Sequence, residues 1–154
     1  MSLLTSEKPV YARTLNVGVA LLSAASAGAL GSNLNGVTAY TAGQYGGRVE
    51  SLVASTNDSA AVNLFVYLLD GSNNVYPLGI VNVPINSGNL GTVQNVDLLD
   101  GTGVRLAGML WDNTGKRYIS IPGGWKLNVS VLANMTANKS CWVTASGFDF
   151  TSLS

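Results

Sequence analysis

Apolar and polar residues alternate along most of the chain from residue 35 onward, and short turns separate the alternating runs. In the run LNVSV at 127–131, every second residue is apolar, so these side chains share one face of an extended chain. A Pro-Gly-Gly turn at 122–124 separates this run from the alternating run before it. The pattern predicts strands joined by turns.

The same pattern predicts about eight or nine short strands at a spacing of roughly ten residues. They fall at 35–43, 46–56, 60–71, 75–84, around 93–99, 104–112, 116–122, 125–131 and 140–150. Short sequential strands with turns between them are typical of an all-β, antiparallel β-sandwich. A jelly roll has eight strands in two sheets and suits this number, so we predict a jelly-roll-like sandwich.

Three local features refine this prediction. The run at 60–71 is apolar on both faces, which indicates a central strand covered on both sides. Pro77 has no N–H to donate, so its strand lies at an edge or is bulged there. Gly115 follows Asn113 and Thr114 in a compact hairpin and suits a positive φ.

The N-terminal segment differs from the rest, and we divide the chain into an extended arm or strap at 1–35 and a sandwich domain at 36–154. The stretch at 17–30 is apolar and rich in small residues, and its part at 19–30 allows one short helix. We expect the segment to become ordered by packing, either as an arm or as an extra strand.

The same segment also imitates a secretory signal peptide. Lys8 and Arg13 precede the apolar stretch, and Ala-Ser-Ala at 25–27 resembles a cleavage site. Glu7 lies within the region that should be positive, which counts against this interpretation. The stretch is too short and too rich in Gly and Ser to span a membrane, so we expect no membrane association.

Charge is scarce and balanced. Eight basic and eight acidic residues cancel, and charged residues make up 10% of the chain, against roughly 25% in ordinary soluble domains. Duplex binding needs Lys and Arg to neutralise several phosphates, so we expect no nucleic-acid partner. The adjacent pair Lys116 and Arg117 is interpreted as solvated turn residues. A weakly charged surface fits a protein that works inside an assembly.

Reactive side chains are also scarce. The chain has no histidine, so Ser-His-Asp and Cys-His sites are impossible. Cys141 lies in an alternating run and is interpreted as a small buried apolar residue. The stretches DGSNN at 70–74 and DLLDGTG at 97–103 are interpreted as turns, because neither has the ligand spacing of an EF-hand. We therefore predict no enzyme activity, no metal site and no cofactor.

The three tryptophans receive two interpretations. Trp125 and Trp142 lie in alternating runs and are assigned to the core or to packing on a sheet. Trp111 precedes the hairpin tip DNTG at 112–115. It either packs under the hairpin or is exposed, as a platform for a sugar ring or as an anchor against a partner protein.

Three longer stretches resemble a known group of proteins. They are GGRVESLVASTNDSAAVNLFVYLLDG, LGIVNVPINSGNLGTVQNVDLLD and ISIPGGWKLNVSVLA. Together they resemble small proteins encoded by tailed bacteriophages and prophages, over about residues 36–150. The nearest role that the resemblance implies is a capsid decoration or cement protein. Such a protein is a jelly roll on the outer surface of an icosahedral shell, bound to the major capsid protein.

This resemblance implies a structural virion protein that is made in the host cytoplasm and forms a homo-oligomer, either a dimer or a trimer. The arm lies outside the resemblance, and we expect it to contact capsid subunits or a neighbouring copy. The candidate partner-binding residues are Tyr11, Leu15, Val17, Val19, Leu21 and Trp111.

Two alternatives remain open. The first is a carbohydrate- or receptor-binding module of a phage fibre or surface appendage, with Trp111 or Tyr118 exposed beside Asp112 and Asn113 in a concave site. The second is a secreted bacterial β-sandwich, which requires the signal peptide to be real.

Overall fold

The computed structural model describes residues 13–28, 34–100, 106–132 and 135–151. Within these residues the chain forms ten strands and one short turn of 3-10 helix at Ala24–Ser26. The strands are β1 Arg13–Leu22, β2 Val37–Thr41, β3 Gly47–Thr56, β4 Val62–Leu69, β5 Val75–Val83, β6 Val96–Asp97, β7 Met109–Trp111, β8 Arg117–Ile121, β9 Lys126–Val131 and β10 Cys141–Phe150.

The strands form two antiparallel sheets that pack face to face. The larger sheet has the order β1-β10-β3-β8-β7, and the short β6 pairs with β3 beside this path. The smaller sheet has the order β2-β9-β4-β5. The predicted all-β, antiparallel sandwich is therefore confirmed. The strand number exceeds the prediction of eight or nine, because the described N-terminal segment supplies β1.

Side-chain alternation fills the space between the sheets. In β9, Leu127, Val129 and Val131 are buried and face the core, as the sequence pattern requires. In β10, Cys141, Val143 and Ala145 do the same from the opposite sheet. Removing these apolar surfaces from water is the main force that holds the two layers together.

Strand β4 is buried on both faces, as its composition predicted. It lies between β9 and β5 in the smaller sheet. Phe65 and Tyr67 point away from the core yet are 2% and 1% exposed, and their rings stack at 5.2 Å. On this side of the sheet, Gly36, directly before β2, lies against the Tyr67 side chain.

The two local backbone predictions are also confirmed. Pro77 lies in β5, which is the end strand of its sheet, and the pairing of β4 with β5 shifts register next to it. A bulge at an edge accommodates a residue without an N–H. Gly115 has a φ of 84° in the β7–β8 hairpin.

The described part of the N-terminal segment forms an extra strand, which is one of the two forms expected for it. Residues 13–22 pair with β10 along their whole length, so they belong to the sandwich and are not a separate arm. The short helix allowed at 19–30 is wrong for its described part, because Val19–Leu22 lie in β1 and only Ala24–Ser26 form a helical turn. Residues 1–12, which include Tyr11, and 29–33 lie outside the described residues.

Gly18 allows β1 to approach the opposite sheet closely. Ala39 is the extra residue of a bulge in β2, between the paired residues Thr38 and Tyr40. A Cβ atom built on Gly18 would lie 2.1 Å from the carbonyl oxygen of Ala39. Because the clashing atom belongs to the backbone of Ala39, no side-chain rotation can remove the clash. Only glycine therefore fits at position 18.

We expect Gly18→Ala to lower the free energy of unfolding by about 1–3 kcal/mol, because the added methyl group forces β1 and β2 apart. Urea denaturation followed by tryptophan fluorescence measures this loss. Gly71→Ala is the matched control, since a Cβ there meets no atom within 4 Å. Its expected change is within about 0.5 kcal/mol, and equal effects of the two substitutions would contradict the packing argument.

Candidate interaction surfaces

The outward face of β1 is an exposed apolar stripe, which we call the β1 stripe. It consists of Leu15, Val17, Val19 and Leu21, whose exposed fractions are 67%, 55%, 53% and 53%. The alternate residues of the strand face inward, and Ala20 and Leu22 are buried. Four of the predicted partner-binding residues therefore share one surface, although they lie on a paired strand and not on a free arm.

The β1 stripe continues onto the neighbouring strand. Leu21 is paired with Trp142 and Leu15 with Phe148 in the antiparallel register of β1 and β10. Trp142 is 38% exposed, so it packs on the outside of the sheet, and the sheet-packing interpretation of this residue is the correct one. The segment from Thr14 to Leu22 carries no charged residue. The surface is consequently both apolar and neutral.

A hydrogen-bond network fixes β1 at the edge of the sandwich. The side-chain amide of Asn16 donates to the carbonyl of Thr41 at 2.9 Å and to Asp149 Oδ2 at 2.8 Å. The hydroxyl of Tyr40 donates to Asp149 Oδ1 at 2.7 Å. Burial, together with the hydrogen bond to Asp149 and its charge, raises the pKa of Tyr40 well above its ordinary value. Side chains of β1, β2 and β10 thus meet at one carboxylate.

A groove runs between the end strands of the two sheets. It is lined by residues 16–19 of β1 and 38–41 of β2 and has a volume of about 280 Å³. Among the described residues, β1 pairs with β10 alone, so its other side faces this groove and solvent. The groove is not predictable from the sequence, because it depends on which strands end the two sheets.

A second exposed surface lies at the opposite end of the larger sheet, and we call it the Trp111 surface. Trp111 is 60% exposed and Leu110 is 47% exposed, both on β7. The guanidinium of Arg117 lies over the Trp111 ring, 4.5 Å from its centroid. Leu106, Met109, Trp111 and Arg117 also line a cavity of about 160 Å³.

These contacts decide between the two interpretations of Trp111 and correct that of Arg117. Trp111 is exposed at the surface and is not packed under the hairpin. Arg117 is not a freely solvated turn residue, because its Nη1 donates to the carbonyl of Leu99 at 3.2 Å and its guanidinium covers the indole ring. The resulting Trp–Arg pair is held in a defined geometry.

Two of the candidate residues near Trp111, Asp112 and Tyr118, are engaged within the protein, whereas Asn113 is exposed. Asp112 Oδ1 accepts hydrogen bonds from the Thr114 hydroxyl at 2.7 Å and from the Lys116 N–H at 2.9 Å. These hydrogen bonds hold the pKa of Asp112 below its ordinary value. The guanidinium of Arg48 covers the ring of Tyr118, 3.7 Å from its centroid. Asp112 therefore stabilises the hairpin, and Tyr118 contacts Arg48 of the neighbouring β3.

The turn interpretation is confirmed for the acidic stretch at 70–74 and for the described part of the second stretch, 97–100. Asp70 Oδ1 accepts from the N–H groups of Ser72 and Asn74, at 2.8 and 2.9 Å. Asp97 Oδ1 accepts from the N–H of Leu99 at 2.8 Å in the second stretch. Within the described residues, no three His, Cys, Asp or Glu side chains are grouped to hold a metal ion.

Cys141 is fully buried in the core, as expected. Burial and the nearby negative charge of Asp58 raise the pKa of its thiol to about 12. A thiol in this state is a poor nucleophile. Across the described ranges, no helix has the length and apolar character needed to cross a membrane.

Asp58 is a buried carboxylate that joins two connections at one end of the sandwich. It is 0% exposed. Its Oδ1 accepts from the Thr136 hydroxyl at 2.6 Å, and its Oδ2 accepts from the Thr136 N–H at 2.9 Å. Burial alone would raise the pKa of Asp58, but the hydrogen bonds from Thr136 and Ala60 outweigh it and lower the pKa. Sequence analysis did not distinguish this aspartate from the turn aspartates.

Comparisons of the chain with protein-family models, with curated proteins and with solved structures found no match. The interpretation of the two exposed surfaces therefore rests on their own residues and geometry.

We expect Asp58→Asn to lower the free energy of unfolding at pH 7 by about 1–3 kcal/mol, because an amide cannot accept all the hydrogen bonds that the buried carboxylate accepts. The folded pKa lies below the unfolded value of about 3.9. The charge therefore stabilises the fold above the unfolded pKa, and this contribution disappears as the pH falls through the folded pKa. The difference between wild type and variant should shrink below about pH 4.

Urea unfolding at pH 7, 5, 4 and 3 measures this dependence. Asp70→Asn is the comparison, because Asp70 accepts hydrogen bonds in an exposed turn, and a smaller loss is expected there. A stability difference for Asp58→Asn that stays constant over this pH range would contradict the assigned role of the charge.

Proposed function

We propose that this chain is a structural virion protein, a capsid decoration or cement protein that binds the outer surface of an icosahedral phage shell and stabilises it. The proposal assigns its synthesis to the host cytoplasm and its site of action to the virion. The order of the strands in the two sheets is the observation that carries it. The resemblance over about residues 36–150 points to the same role.

The strand order supports a jelly roll because the pairing is nested. The first strand β1 lies beside the last strand β10, β2 lies beside β9, β3 beside β8, and β4 beside β5. This is the pattern of one long hairpin rolled into two sheets, and jelly rolls of this kind are common in viral capsid proteins. The short β6 and β7 are additions within the connection from β5 to β8.

The contact with the major capsid protein is assigned to the Trp111 surface. Tryptophan and arginine are enriched among the residues that dominate binding energy at protein interfaces. Trp111 and Arg117 are stacked at 4.5 Å, so the pair loses little conformational freedom when it is covered. Binding of many copies to an assembled shell then stabilises the shell by mass action.

The exposed ring of Trp111 also supports the alternative, a carbohydrate- or receptor-binding module. A sugar site needs polar groups beside the ring, and Asp112 is already bonded to Thr114 and Lys116. Tyr118 is covered by Arg48. The geometry therefore favours a protein partner. Binding to a glycan array that is lost on Trp111→Ala would support the alternative instead.

We expect the purified chain to bind phage particles that lack it, in a fixed ratio to the major shell protein, and to raise the temperature at which the shells break. Trp111→Ala should weaken binding by about 2 kcal/mol, which is more than tenfold in the dissociation constant. Quantitative mass spectrometry of sedimented particles gives the number of bound copies. Particles come from a phage in which the gene for this chain is deleted.

Tyr45→Ala is the control, because Tyr45 is 57% exposed and lies in the turn between β2 and β3, away from β7. It should bind like the wild type. Failure of the wild-type chain to bind these particles would overturn the proposed function. If Trp111→Ala and Tyr45→Ala weaken particle binding equally, the Trp111 surface is not the contact with the shell.

A further inference from the structure

The outward residues of β1 are symmetric about Gly18. In the run LNVGVAL, residues 15–21, leucine lies three positions on either side of Gly18 and valine lies one position on either side. The four apolar side chains are more than half exposed. Outward residues whose order is the same in both directions form a surface that is self-complementary to an antiparallel copy, which a two-fold interface requires.

We propose that two copies of this chain associate through β1, antiparallel about a two-fold axis at Gly18. The two larger sheets then become one continuous sheet across the dimer. Leu15 lies opposite Leu21 of the partner copy, and Val17 lies opposite Val19 of the partner copy. The backbone groups on the open side of β1 gain hydrogen-bond partners in the same step.

The register follows from the positions of the apolar residues. A shift of the axis to Val17 would place Leu21 opposite Arg13 of the partner, and a shift to Val19 would place Leu15 opposite Ser23 of the partner. An axis between two residues would pair an outward residue with an inward one. Only the axis at Gly18 places all four apolar residues opposite apolar residues.

The pairing also extends the apolar surface across both copies. Trp142 neighbours Leu21, and Phe148 neighbours Leu15, in the register of β1 and β10. In the dimer, each outer row therefore consists of an aromatic residue, two leucines and a second aromatic residue. Such cross-strand pairs each contribute roughly 0.2–1 kcal/mol.

Charge does not oppose this contact. Arg13 is the single charged residue of β1, and in the proposed register it faces Ser23 of the partner copy. Edge strands that stay unpaired usually carry proline, lysine or another charged residue that prevents pairing. The segment from Thr14 to Leu22 carries none of them. The inference does not depend on shell binding, because it rests on β1 alone.

Sedimentation equilibrium of the full chain tests the proposal with two double variants. Val17→Lys with Val19→Lys places like charges opposite each other, and the dimer dissociation constant should rise by about 100-fold. Val17→Lys with Val19→Glu places opposite charges together in the same register. Its dissociation constant should stay within about tenfold of the wild type at low salt and rise in 1 M NaCl.

Both substituted positions are more than half exposed, so the fold should persist, and circular dichroism checks it. A wild-type chain that is monomeric at 100 µM overturns the proposal. Equal dissociation constants for the two double variants would also overturn the proposal, because they would show that Val17 of one copy does not face Val19 of the other. If the wild-type chain is monomeric and the Val17→Lys, Val19→Lys variant no longer binds phage particles, the β1 stripe contacts the shell and not a second copy.

A second measurement reads the register directly. Val17→Cys and Val19→Cys copies, differently tagged and mixed under mild oxidation, should cross-link to each other faster than either does with itself. Cys141 is buried and does not compete. Equal rates of cross-linking in the mixed and the separate samples would overturn the proposed axis.

Discussion

Strand β1 carries apolar side chains on both faces, and the sandwich of a single chain can bury only one of them. The inward residues Ala20 and Leu22 complete the core beside β10. The outward leucines and valines stay exposed as a direct consequence of the twofold alternation of a strand. The core therefore requires β1 to be present, and the leucines and valines at the outward positions of β1 make the edge apolar and neutral. The proposed contact between two copies of the chain depends on that geometry.

The edge is rigid as well as apolar, and rigidity decides how such a surface binds. The carboxylate of Asp149 accepts hydrogen bonds from Asn16 and Tyr40, so it connects β1 to the opposite sheet. Gly18 lets the two sheets approach at the same place. A strand held in this way loses little conformational freedom when a partner covers it, whereas a flexible strap must be ordered first. We expected packing on a partner to order the N-terminal segment, but pairing with β10 already orders β1 within a single chain.

Much of the fold is predictable from local alternation, because a strand with one buried face must place apolar residues at every second position. This explains why the predicted runs at 46–56 and 140–150 match β3 and β10 closely. The alternation in β1 is followed directly by an Ala-rich stretch of small residues. The two together resemble an extended arm or a signal peptide, so the strand is not recognised from its pattern. Non-local contacts were not predictable. The covering of Tyr67 by the residues directly before β2 depends on how the strands are ordered in the sheets. The contact of Arg117 with Trp111 is local by comparison, because the two residues face each other within the β7–β8 hairpin.

The larger sheet has two chemically different ends, and this difference separates two kinds of contact. The β1 end is neutral, apolar and self-complementary, which suits a second copy of the same chain. The β7 end presents Trp111 stacked with Arg117, which suits a different protein surface. A dimer formed through β1 carries one Trp111 surface at each far end. Two linked sites bind a repeating lattice more tightly than one site when the lattice spacing matches their separation. Association between copies would then strengthen shell binding without any additional contact to the shell.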